Sequence, residues 1–185
     1  MDTLIAVDIG GTNIRCALYP FAGGSHITIK KIRTLNSRGK TKKPINRLIS
    51  CIEEIWPKQG KVLGICAAAP GSVAVNDGVV LLAPNIPGWK NIPLGKILEN
   101  HFSVKTLINN DARLAGYGEW KKGSGIGHSN LLYFTLSTGI GGGIIVNGKL
   151  LQGEIGIATE VGHITICTDG PLCSCGQRGH LEAFS

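Results

Sequence analysis

Two stretches constrain this chain more than any others, because each sets a glycine turn between two apolar runs. They are T-L-I-A-V-D-I-G-G-T-N-I-R-C-A-L-Y, residues 3–19, and L-L-Y-F-T-L-S-T-G-I-G-G-G-I-I-V, residues 131–146. An apolar run that stops at glycine and resumes after a few residues reads as strand, tight turn, strand. Glycines there let a phosphate approach the backbone N–H groups. In the first turn Gly10 and Gly11 supply the opening, and Thr12 and Asn13 add donors. Asp8, at the end of the incoming strand, can hold Mg²⁺ through water, since that ion keeps several waters and takes few carboxylates. The second turn, with Ser137, Thr138 and Gly139, repeats the logic. It lacks the spacing of a dinucleotide fingerprint and the lysine of a Walker loop. Either turn alone is equally a plain hairpin; one in each half of the chain suggests an anion gripped from opposite sides of a cleft.

The rest of the pattern is mixed. Runs at 14–19 and 26–33 extend the first strand into an antiparallel meander. Residues 45–56 carry Ile45, Leu48, Ile49, Ile52, Ile55 and Trp56 at helical spacing before Pro57. Strands are expected at 62–69 and 104–108, helices at 94–101 and 111–121, and a second sheet over 131–136 and 143–146, leading into the turn Asn147-Gly148. This is an α/β protein. Its boundary falls near residues 110–125, which gives a small N-terminal domain over 1–111 and the start of a larger one over 112–185.

Composition excludes several classes. Hydrophobic content of 43% with 17% charged residues is that of a globular domain. The 27 glycines cluster in short runs rather than in a linker. The net charge of +7 is local, arising from Lys30, Lys31, Arg33, Arg38, Lys40, Lys42 and Lys43, with no acid among residues 30–43. No aromatic residue is interleaved there for base stacking, so a solvated surface is expected and nucleic acid is not. No run approaches the ~18 apolar residues of a membrane span, and the acidic N-terminus is unlike a signal peptide. A cytoplasmic chain with reduced thiols is therefore expected. Cys16, Cys51 and Cys66 sit singly in apolar runs and read as buried thiols.

Two further stretches carry chemistry. In I-N-N-D-A-R, 108–113, Asp111 lies where a strand ends and a helix begins, beside Asn109 and Asn110. Ligands favour such strand ends in α/β sheets. A helix cap would need the same residue; as a functional group, it could orient a substrate hydroxyl and take its proton late in phosphoryl transfer. The other stretch joins E-V-G-H, 160–163, to C-S-C-G-Q-R-G-H, 173–180. His163, Cys173, Cys175 and His180 offer two imidazoles and two thiolates, the number a closed tetrahedral Zn²⁺ site needs.

These motifs in this order, with A-A-A-P-G-S-V (67–73) and L-A-P-N-I-P-G-W (82–89), resemble the ROK family of sugar kinases and related repressors, from residue 3 to 185. The resemblance implies a two-domain, actin-like (ribonuclease H-like) ATPase fold with the sugar between the domains. It implies Asp111 as the base for the sugar 6-hydroxyl, with Asn110, Glu160, His163 and Glu182 bonding the sugar ring and Gly71 and Asn85 lining its pocket. Gly10, Gly11, Thr12, Asn13, Thr138 and Gly139 become the phosphate turns for ATP, and Asp8 the Mg²⁺-associated acid. His163, Cys173 and Cys175 match zinc ligands of the family. Position 180 is usually its third cysteine; here His180 is expected to serve, in preference to Cys167, which reads as part of an apolar strand. The glycolytic reaction implied is phosphorylation of a hexose, glucose first, on the glucokinase-like segments 70–73 and 82–89. N-acetylmannosamine, N-acetylglucosamine and fructose are open alternatives, as is polyphosphate as donor. Family members continue with helices that complete the larger domain, so a truncated chain is expected, homodimeric at full length. The readings from another class are a sugar-binding regulator or a non-catalytic fragment. Against a DNA-binding repressor stand the seven residues before Asp8, too few for a helix-turn-helix.

Overall fold

Alternation in the first apolar run decides the first strand. In β1 (Asp2–Ile9), Thr3, Ile5, Val7 and Ile9 are buried, and the residues between them are exposed. The computed structural model describes residues 1–35, 43–137 and 139–185. These form two compact units, Met1–Asp111 and Ala112–Ser185.

In the first unit β1 pairs antiparallel with β2 (Asn13–Pro20), which pairs antiparallel with β3 (Thr28–Arg33). On its other edge β1 pairs in parallel with β4 (Lys61–Ala69). A smaller antiparallel sheet follows, from β5 (Ser72–Ala74), β6 (Val79–Leu82) and β7 (Lys90–Ile92). The sequence reading missed these three strands. They are three or four residues long and stand among prolines and glycines, so no alternation has room to show. Last comes β8 (Thr106–Asn110), parallel to β4, giving a five-stranded sheet in the order β3-β2-β1-β4-β8.

Helix α1 (Pro44–Ile55) opens on proline, whose fixed φ suits the first helical position. It buries Leu48, Cys51, Ile52 and Ile55. Helix α2 (Leu94–Phe102) buries Leu94 and Leu98 and stops at Ser103, which takes a left-handed φ of 56°. Both join a single core with Ile5, Val7, Ile9, Ile14, Ile65 and Ile108. Trp56 stacks on Phe102 at 4.9 Å between ring centroids. The expectation for Cys66 is corrected: it is exposed, because β4 alternates and only its other face meets the core.

The second unit takes in helix α3 (Asp111–Lys122) from Ala112 onward, and the antiparallel strands β9 (Leu131–Leu136), β10 (Ile140–Val146) and β11 (Lys149–Leu150), in the order β11-β10-β9. Asn147 and Gly148 both have positive φ, as a two-residue type I′ turn requires. Helix α3 meets this sheet through glycine: a Cβ on Gly116 would lie 3.1 Å from Tyr133 Cβ and 3.2 Å from Gly143 Cα. Beyond β11 the described chain is loops, with 3₁₀ turns at Val161–His163 and Leu181–Phe184. The described chain ends on the second of these turns. Cys167, read as part of an apolar strand, is exposed in a loop; Gly170 N donates to its carbonyl at 3.1 Å.

Candidate active site and metal centre

The register of three parallel strands brings several candidate residues of the first unit to one end of the sheet. Asp8 on β1 lies opposite Ala68 on β4, and Ala69 lies opposite Asn110 on β8. Asp8, Gly71, Asn110 and Asp111 therefore lie at neighbouring carboxyl ends, where ligands bind in open α/β sheets. With strands about 4.8 Å apart, the outer two ends are separated by roughly 10 Å.

Each end is fixed locally. Gly10 N donates to Asn13 O at 2.8 Å, closing the first turn. Thr34 ties that turn to β3: its hydroxyl donates to Gly10 O at 2.6 Å and its N–H to Thr12 O at 2.9 Å. Thr12 is exposed at the tip, and Asn13 begins β2. Gly11 lies against Asn85, for a Cβ there would stand 3.0 Å from both Asn85 Cβ and Asn85 O. Ile86 and Trp89, both buried, anchor the loop that leaves Asn85 exposed. Asp8 faces Arg15 at 3.3 Å, and both side chains are about half exposed. Its carboxylate thus keeps the solvent access that a water-mediated Mg²⁺ contact needs.

Gly71 has φ of 75°, and a Cβ there would collide with Leu82 O, so no other residue fits this turn. Its carbonyl accepts from Asn110 Nδ2 at 3.0 Å, and the same nitrogen donates to Asp111 Oδ1 at 3.1 Å. Asn110 N donates to Asn109 Oδ1 at 2.8 Å. Asp111 is exposed, the first residue of α3, its carboxylate aimed by an amide that is itself anchored.

The second unit gathers a different set. Ser137 N donates to Gly139 O at 2.9 Å; Thr138 lies outside the described residues. Gly139 packs beside Glu182, as a Cβ there would be 2.9 Å from Oε2. His163, Cys173, Cys175 and His180 bring one donor atom each within 4.8 Å of one another. His163 Nδ1 is 3.3 Å from His180 Nδ1 and 3.6 Å from Cys173 Sγ, and Cys175 Sγ is 3.3 Å from His180 Nδ1. Zn–N bonds of about 2.0–2.1 Å and Zn–S bonds of about 2.3 Å imply tetrahedron edges of roughly 3.4 Å (N–N) and 3.6 Å (N–S). These three separations are close to those edges, and all four donors lie within 4.8 Å of one another.

The local fold explains the gathering. Cys173 N donates to Gln177 O at 2.7 Å and Gly176 N to Cys173 O at 2.9 Å, a tight turn that Gly176 permits with φ of 94°. A bridge between Thr165 and His180 ties this turn to the segment after His163. Glu182 Oε1 lies 3.2 Å from Cys173 Sγ and 3.1 Å from Ser174 Oγ. Burial disfavours the Glu182 carboxylate, but these hydrogen bonds and the nearby His163 hold its pKa below the ordinary value. At Cys173 the Cys175 N–H favours the thiolate, yet burial and the Glu182 and Cys175 side chains prevail and push the thiol up. A bound divalent cation inverts that balance by taking the thiolate as ligand. Glu160 is exposed one residue before the 3₁₀ turn that carries His163.

The ROK family model matches residues 4–185. This chain belongs to the ROK family. The glucokinase of Thermotoga maritima is 39% identical over 185 residues, covering 98% of this chain and 56% of that protein. The xylose repressor of Caldicellulosiruptor bescii is 34% identical over 194 residues, covering all of this chain and 47% of the repressor. The crystal structure of a ROK glucokinase from Streptomyces griseus, in complex with glucose and AMPPNP, matches with a TM-score of 0.82 at 34% identity, over 99% of this chain and 57% of that one. The fold is thus the α/β, actin-like ATPase fold of the ROK kinases, and the chain spans just over half the length of these glucokinases. Among the described residues no helix is long and apolar enough to cross a membrane.

Of the basic stretch, Lys30, Lys31, Arg33 and Lys43 are exposed, and Lys30 pairs with Glu54 at 2.6 Å; Arg38, Lys40 and Lys42 lie outside the described residues. The sequence reading passed over Arg113, which is 1% exposed. No sequence signal marks it, since a charged residue on a helix is expected at the surface.

Proposed function

We propose that this ROK chain belongs to a cytoplasmic kinase that transfers the γ-phosphoryl group of ATP to the 6-hydroxyl of a hexose, glucose first. The observation that carries the reading is the chain of contacts from Gly71 O through Asn110 Nδ2 to Asp111 Oδ1 at the carboxyl end of β8. It presents an exposed carboxylate in a fixed direction on the same sheet end as the glycine turn after β1.

In this reading Asp111 orients the hexose hydroxyl and accepts its proton as the bond to phosphorus forms. An ordinary carboxylate suffices, because proton removal lags in a loose transition state. Asn110 holds Asp111 and offers its amide to the sugar. Gly71 and Asn85 shape the pocket, and on the second unit Glu160, His163 and Glu182 are the proposed ring-hydroxyl partners. Gly10, Gly11, Thr12 and Asn13, with Thr138 and Gly139, carry the phosphates on backbone N–H groups and short polar side chains. Asp8 would hold Mg²⁺ through water, and that ion would neutralise phosphate charge. His163, Cys173, Cys175 and His180 would hold a structural Zn²⁺, which would fix the loop bearing His163 and the turn before Glu182. Most of the acceleration would come from positioning.

A coupled ADP-release assay against glucose, fructose, N-acetylmannosamine and N-acetylglucosamine tests the proposal, run on this chain and on a version extended to the length of its relatives. The extended protein is expected to turn over glucose fastest; no turnover with any of the four sugars would defeat the kinase reading. The match to a xylose repressor supports a second reading, a sugar-binding regulator. Sugar binding without ADP release in the same assay would favour it.

A further inference from the structure

Arg113 is nearly fully buried, yet it belongs to none of the groups assigned above. Its guanidinium spends three nitrogens on one loop. Nη1 donates to Gly156 O at 2.6 Å, Nη2 to Ala158 O at 2.5 Å, and Nε to Thr159 Oγ1 at 3.2 Å. Only arginine offers so many donors in a rigid plane, and lysine cannot reproduce the fork. Burial pulls its pKa below the usual arginine value, while the negative charge of Glu160 acts in the opposite direction.

The loop it grips is unusual. Gly153, Gly156 and Thr159 all have positive φ, of 72°, 78° and 73°. For the two glycines this is easy. For Thr159, β-branched, it is a strained conformation that persists only when its surroundings enforce it. Ala158 N donates to Gln152 O at 2.9 Å, closing the loop at its base. The next residue is Glu160, exposed, whose carbonyl accepts from His163 N at 3.0 Å. Glu160 therefore sits between two anchors, the Arg113 fork behind it and the His163 donor cluster ahead.

We propose that Arg113 is a positioning residue: its buried guanidinium holds Thr159 in the left-handed conformation and thereby sets the direction in which Glu160 presents its carboxylate to the sugar. Glu160's part in sugar binding rests on the function proposed above; the grip on the loop does not.

The test compares the wild-type protein, extended to the length of its relatives, with Arg113→Lys, Thr159→Gly and the double variant. Two readouts are needed: amide hydrogen exchange over residues 154–162, and glucose affinity by calorimetry. Loss of charge-assisted hydrogen bonds predicts exchange of that segment faster by about tenfold or more in Arg113→Lys, with a similar rise in the glucose Kd and little change in β9 and β10. Glycine takes positive φ without strain, so the double variant should recover most of both losses, although Thr159→Gly by itself also removes the Oγ1 that accepts from Arg113 Nε. Unchanged exchange in Arg113→Lys, or no recovery in the double variant, would overturn the proposal. Should Arg113→Lys fail to fold, recovery or its absence in the double variant decides it. Faster exchange with an unaltered glucose Kd would also overturn it, as the loop would then not aim Glu160. A wild type that binds no hexose defeats the kinase reading instead, and the exchange results then decide the grip by themselves.

Discussion

The two units hold their candidate residues by different means. The first has a sheet of five strands and one continuous core, so Asp8, Asn110 and Asp111 stand at the ends of strands that anchor Ile5, Val7 and Ile108 in that core. In the second, the buried apolar residues are Ile145, Val161 and Cys173, while Leu132, Phe134 and Leu136 on β9 are exposed. Its candidate residues lie in loops, held by backbone hydrogen bonds, by the His163–Cys173–Cys175–His180 cluster and by Arg113. Hydrophobic burial grows with the size of the core, so a short chain segment with little core needs staples. The lesson is that residues proposed for one sugar can depend on stabilisation of unlike kinds, and so can fail under unlike conditions.

The contrast is open to attack at several points. The largest effect is expected from Cys173→Ser. Structural zinc is worth about 10–16 kcal/mol in isolated zinc fingers. Bound zinc, read by atomic emission, should therefore fall from about one per chain to near zero, with the second unit losing its cooperative structure. Next comes Asp111→Ala in the extended protein. Loss of a base predicts a fall in kcat of about 10²–10⁴, with stability within about 0.5 kcal/mol because the side chain is exposed. Retained turnover would remove Asp111 from the base role. Ile52→Ala empties a fully buried site in the first unit and should cost about 2–5 kcal/mol there by chemical denaturation, leaving zinc content unaltered. Smallest is Arg15→Ala: the Asp8–Arg15 pair is half exposed, so less than about 1 kcal/mol should be lost.

Legibility in the sequence followed the same division. Strands β1, β2, β3, β4, β8, β9 and β10 and helices α1 and α2 were readable from apolar runs or helical spacing five or more residues long, and α3 from Asp111 as a candidate cap at its start. The β5-β6-β7 sheet was not, since three-residue strands give periodicity no length to act on. Cys66 was misplaced because an apolar run does not say which face of a sheet is covered. The donor set His163, Cys173, Cys175 and His180 was legible from residue type and order, and the structure brings those four together. Cys167, weighed as a substitute ligand, lies in an exposed loop outside that set. Arg113 was invisible because charged residues are expected at the surface. Only the fold shows that its partners include three oxygens of a loop more than forty residues away.

The most direct measurement is amide hydrogen exchange of the zinc-loaded protein before and after a strong chelator, resolved along the chain. Chelation should release protection across residues 161–184 and leave β1, β4 and β8 as protected as before. Equal loss in both units, or full protection of 161–184 without metal, would contradict an account in which a core holds the first unit's residues and zinc holds the second's.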